Sequence, residues 1–91
     1  MTRKERQLFE TGYFRVLREN EKYIEVQSIN TKHCWIVQRK ACLDQAPVCL
    51  YHKHSPSQKY YHKQCDNASV TSAVRKIMRH DEYVVSYVKQ S

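Results

Sequence analysis

One glycine, Gly12, is all the chain has in 91 residues. That excludes a glycine-rich phosphate loop, a dinucleotide fingerprint and a solenoid of glycine turns, each of which needs several positions free to adopt positive φ. No stretch approaches the ~20 apolar residues of a membrane-spanning helix. The opening, MTRKERQLFE, is charged and leads into no apolar signal region. There is no C-x2-C knuckle, nucleophile elbow, paired acidic motif or metal-helix motif, and no signature of the common nucleic-acid-binding folds. No repeat, low-complexity run or linker divides the chain.

What is present fits one globular domain: 41% of residues are hydrophobic and 27% charged, outside the disordered range. A chain this short buries only ~60–65% of its unfolded surface, so modest stability is expected. We divide it into residues 1–12, a short helix or a frayed segment, and residues 13–91, a single α+β domain. Four cysteines in a chain without an export signal are expected to be reduced, in the cytoplasm, and to behave as small buried hydrophobes.

The net charge of +7 is unevenly placed. Residues 32–63 carry six basic groups against Asp44 alone, or +5, while the flanking segments carry +1 each. Charge gathered this way points to a polyanion, with nucleic acid ahead of an acidic protein or a membrane surface. A merely solubilising surface is the plainer explanation and weighs about as much.

Ser69–Asp81 has the clearest local signature. Val70, Ala73, Val74, Ile77 and Met78 recur at helical spacing along one face, with Arg75, Lys76 and Arg79 opposite. Asp66 or Asn67 is the expected N-cap. Upstream, Tyr13–Arg18, Lys22–Ser28 and Lys32–Gln38 alternate as strands of a meander, turning at Asn20, suited to positive φ, and at Asn30-Thr31. Arg39–Pro47 interrupts the pattern, and Val48–His54 with Lys59–Cys65 then forms a hairpin. Tyr83–Val88 reads as a last strand by composition, yet Val84, Val85 and Val88 also continue the helical phase. The expected architecture is α+β: an antiparallel sheet of about five strands, meander plus hairpin, packed against one C-terminal amphipathic helix. Its core should be Phe14, Val16, Ile24, Val26, Trp35, Val37, Val70, Val74, Ile77 and Met78.

The hairpin holds the unusual chemistry. Cys49-x2-His52 and His62-x2-Cys65 suggest a Cys2His2 zinc site. Strand geometry opposes it, because residues three apart point to opposite faces. Symmetric pairing about Ser57 sets Cys49 opposite Cys65 and His52 opposite His62, so thiols and imidazoles separate. No metal site and no cofactor are expected. His80-Asp81-Glu82 reads as chemistry of a helix end.

The other reading of the hairpin is a surface. Tyr51, Lys53, Tyr61 and Lys63 share one face, while His52, His54, Tyr60 and His62 share the other. Rings for stacking beside cations for phosphates are what sheets that hold single strands use. Ordinary cross-strand Tyr–Lys pairs are the plainer alternative. The expected site is Tyr51, Lys53, Lys59, Tyr60, Tyr61 and Lys63, extended by Arg75, Lys76 and Arg79, with single-stranded nucleic acid as the partner. The second expectation is a non-enzymatic module that binds a protein partner or a second copy of itself. No catalytic residue is assigned: Cys34, Cys42, Cys49 and Cys65 offer nucleophiles only by abundance. No membrane contact is expected.

Overall fold

The computed structural model describes residues 1–40 and 47–90, with side chains through residue 87. Cys42, Asp44 and the Val88 side chain, each used above, lie outside the described residues. Five strands, β1 (Phe14–Glu19), β2 (Tyr23–Ser28), β3 (Cys34–Arg39), β4 (Val48–Lys53) and β5 (His62–Asn67), form one antiparallel sheet in chain order. Helix α2 (Val70–Gln90) lies on one face, and a short helix α1 (Arg3–Gln7) precedes the sheet. The expected α+β architecture is present.

Alternation decides which residues meet the helix. In β2, Ile24, Val26 and Ser28 are buried while Tyr23, Glu25 and Gln27 are half-buried on the other side. Trp35 and Val37 of β3 and Val48 and Leu50 of β4 join Ile24 and Val26 beneath Val70, Ala73, Val74 and Ile77. Trp35 is fully buried, and its indole N–H donates to Ser28 Oγ at 3.2 Å, so the sheet supplies the partner a buried Trp requires. Phe9 seals one end, its ring 5.6 Å from that of Phe14. Val16 is only half-buried and Met78 is 36% exposed, so neither is as central as the pattern predicts.

The first segment is tied down by its own sequence. Thr2 Oγ1 accepts from the Glu5 N–H (3.2 Å) and Glu5 Oε1 from the Thr2 N–H (2.8 Å), a capping box around α1. Gly12 follows with φ +84°, a conformation a side chain resists.

Three local expectations are corrected. The N-cap of α2 is Ser69, whose Oγ accepts from the Ser72 N–H (3.1 Å); Asp66 and Asn67 are spent in β5. Asn20 turns the chain without positive φ, its Oδ1 accepting from the N–H groups of Lys22 (2.8 Å) and Tyr23 (3.0 Å), and Lys32 takes the left-handed conformation at φ 67°. Cys49 does not face Cys65. His52 pairs with His62 and Tyr51 with Lys63, but Gln64 is an extra residue, so Cys65 pairs with Leu50 and Asp66 with Cys49. This bulge moves Cys65 to the helix side.

Tyr83–Val88 is helix, not strand. Asp81 does not stop α2, because it is fully buried and its carboxylate accepts from Tyr13 Oη (2.7 Å) and Thr31 Oγ1 (2.9 Å). With no Gly or Pro to break it, the helix continues. Its 21 residues span about 31 Å, and from Glu82 to Tyr87 its side chains are half-buried or exposed. Among the described residues no helix is long and apolar enough to cross a membrane.

Candidate functional site

The face of the sheet away from α2 carries the predicted surface. Cross-strand pairing places Arg15 beside Gln27, Arg18 beside Glu25, Ile36 beside Tyr51 and Tyr51 beside Lys63, all on this side. A cleft of about 470 Å³ opens there between Arg18, Tyr23, Glu25, Ile36, Gln38, Tyr51 and Tyr61. No described helix covers it. Tyr61 Oη donates to Glu25 Oε2 at 2.6 Å, joining the approach to β5 with β2. Flat, those strands would stand three spacings of about 4.8 Å apart, so the bond reports a curled sheet.

Electrostatics grade the basic residues. Lys53 Nζ lies 4.7 Å from the centre of the Tyr61 ring and donates to Gln58 O at 3.2 Å. Lys40 and Lys63 both pair with Asp66, at 2.9 and 3.1 Å, and their hydrogen bonds hold its carboxyl at about 2. Arg18 reaches Glu25 at 3.7 Å. Burial pushes the Tyr61 hydroxyl upward, and the bond to Glu25 adds to it. Among the described residues, Arg15, Arg18, Lys53 and Lys63 on this side thus face two carboxylates, Glu25 and Asp66.

Lys59 and Tyr60 sit at the exposed hairpin tip, with Lys59 Nζ 5.4 Å from the Tyr60 ring centre and Tyr60 72% exposed. Arg75, Lys76 and Arg79 are exposed on α2, in the layer on the other side of the sheet. Lys76 Nζ reaches only Asp66 O, at 3.4 Å. The structure therefore brings Tyr51, Lys53, Tyr61 and Lys63 together, adds Tyr23, Arg15 and Arg18, and leaves the three helix cations apart.

The covered face gathers all five histidines of the chain at one end. His52 stacks on Trp35 at 4.1 Å and lies 4.6 Å from His80 and 5.3 Å from His62, ring centre to ring centre. His33 Nδ1 and His52 Nε2 are 2.9 Å apart, a hydrogen bond that needs one ring to donate and the other to accept. His54 stacks on His33 at 5.2 Å. Burial first, then the neighbouring imidazoles His80, His33, His54 and His62, depress His52 to about 3. Burial likewise lowers His33 and His80, the nearby Asp81 charge partly opposing it. All three are neutral at physiological pH. Their donor atoms lie within 4.8 Å of one another, the one such group of metal-ligand type among the described residues.

Comparison with protein-family models, with curated proteins and with solved structures returned no match.

Among the described residues no thiol enters the histidine cluster. Cys34 and Cys49 are buried on the open-face side of the sheet, and Cys65 pairs with Asn67 on the helix side. Burial pushes the Cys34 thiol upward, away from the nucleophilic thiolate. His33 and His80 are the residues sequence reasoning missed. One precedes β3 and the other sits mid-helix, 47 positions apart in the chain. His80 is not at a helix end, since α2 runs on to Gln90. A helical phase extended past Asp81 would have set His80 beside the buried stripe.

Proposed function

We propose that this chain is a small, non-enzymatic, cytoplasmic module that binds single-stranded nucleic acid on the open face of its sheet. The observation that carries the reading is the cleft where Tyr23, Tyr51 and Tyr61 line a sheet face bordered by Arg15, Arg18, Lys53 and Lys63. Stacking contributes about 1–3 kcal/mol per base, so two rings supply about 2–6 kcal/mol, and the cations must add the rest of a micromolar affinity. Lys59 and Tyr60 stand beyond it at the exposed hairpin tip. Arg75, Lys76 and Arg79 are omitted because they project from the opposite layer. Free thiols at Cys34, Cys49 and Cys65 fit a reducing compartment.

Among the described residues, Arg15, Arg18, Lys53 and Lys63 against Glu25 and Asp66 leave about two phosphates to neutralise. For a single strand the salt slope is then about −1.4, or roughly a sevenfold loss of affinity between 50 and 200 mM salt. Fluorescence anisotropy with labelled oligo(dT) and oligo(U) at both concentrations tests it. No binding at the lower salt removes the reading.

A second reading rests on the free end of α2. Tyr83 and Tyr87 are 69% and 65% exposed with rings 6.3 Å apart, beside half-buried Val84 and Val85. A protein partner or a second copy would bury these groups. Light scattering at two protein concentrations decides for the dimer, and a monomeric mass at both counts against it.

A further inference from the structure

The histidine cluster has a use of its own, independent of the open face. We propose that His33, His52 and His80 form a binding site for a borderline divalent transition metal, zinc foremost, with the fourth coordination position left to solvent. Three observations carry this. The ligand atoms come from three separate elements, the β2–β3 connection, β4 and α2, yet lie within 4.8 Å of one another. Tetrahedral zinc with Zn–N bonds of ~2.0–2.1 Å needs nitrogens about 3.3 Å apart, so small rotations of half-buried His33 and His80 close the set. Second, His80 Nδ1 is buried with no hydrogen-bond partner, a cost that folded proteins seldom leave standing. Third, Asp81 is a fully buried carboxylate whose charge is felt at both His33 and His80, giving a dication a compensating anion close by.

The donor chemistry narrows the ion. An all-imidazole set suits zinc, copper, nickel and cobalt, whereas calcium and magnesium need oxygen ligands. Lys76 and Arg79 line a cleft with His80 and oppose a cation, so the affinity is set by the three imidazoles rather than by the general field. Trp35 stacked on His52 and edge-on to His80 at 5.1 Å holds two of the rings in place before any ion arrives. Bound, the ion would pin α2 to the sheet.

Isothermal titration of chelator-stripped protein with zinc chloride tests the site. One zinc per folded chain, with a rise of several degrees in the thermal midpoint, is expected. His33→Gln and His80→Gln should each lower the affinity at least tenfold with circular dichroism unchanged, and Cys65→Ser should leave it unaltered. Cobalt(II) in place of zinc should give intense visible bands of a four-coordinate site without thiolate charge transfer, a readout on the unmutated chain should a variant misfold. Overturning results are no binding with zinc in excess, wild-type affinity in both histidine variants, equal affinity in urea, loss in Cys65→Ser, or a weak octahedral cobalt spectrum.

Discussion

Strand β4 carries two environments on alternate residues. Val48, Leu50 and His52 face the helix, while Cys49, Tyr51 and Lys53 face away. His52 and Lys53 are chain neighbours, yet the covered imidazole is driven neutral, whereas the ammonium stays half-exposed over a tyrosine ring. The contrast teaches that dehydration, more than residue type, assigns chemical roles here. One face drives its buried imidazoles His33, His52 and His80 neutral, and the other displays charge beside flat rings.

Acid should test the silent face hardest. Imidazoles in the unfolded chain take up protons near pH 6.5, while His52 resists until about 3 and His33 and His80 also resist. The unfolded state therefore binds more protons, and stability falls as pH drops through that window. For metal-stripped protein, His52 alone should cost about 2 kcal/mol between pH 7 and pH 5, and the other two act in the same direction. Urea midpoints that are flat over this range would break the contrast.

Trp35→Ala should cost more than the His52 titration alone, about 3–5 kcal/mol in denaturant unfolding, because the indole is fully buried and packs on His52. Tyr51→Ala sharpens the comparison from the other side. Oligonucleotide affinity should fall by roughly 1–3 kcal/mol, with little change in the unfolding midpoint. If the two variants had the same profile, the faces would not be separate. Asp81→Asn is smaller, about 1–2 kcal/mol, since the amide keeps one acceptor for Tyr13 or Thr31 and loses the other. Thermal melts measure it.

Much of the fold was readable from period alone. Ile24 and Val26 in β2, Trp35 and Val37 in β3, and the 70–77 stripe of α2 each lie on the face that alternation assigns. What was not readable depends on contacts between distant segments. Asp81 looks like a helix breaker until Tyr13 and Thr31, 68 and 50 residues away, supply its hydrogen bonds. The burial of Phe9 depends on Phe14 folding back on it. The open-face tyrosines were half visible: Tyr51 and Tyr61 share the predicted side, while Tyr23 joins them only through the pairing of β2 with β3. The histidine cluster needed His33 and His80, which no local spacing connects.

The extra residue at Gln64 sets a parity. Upstream of it and downstream of it, β5 presents odd and even positions to opposite sides of the sheet. Deleting Gln64 would invert that order in the second half of the strand, turning Cys65 and Asn67 outward and driving Asp66 inward, where its lysine partners could not follow. A deletion among Ser55–Gln58 would merely shorten the hairpin loop. Length variation in this chain should therefore be tolerated at the loop and forbidden within the strand.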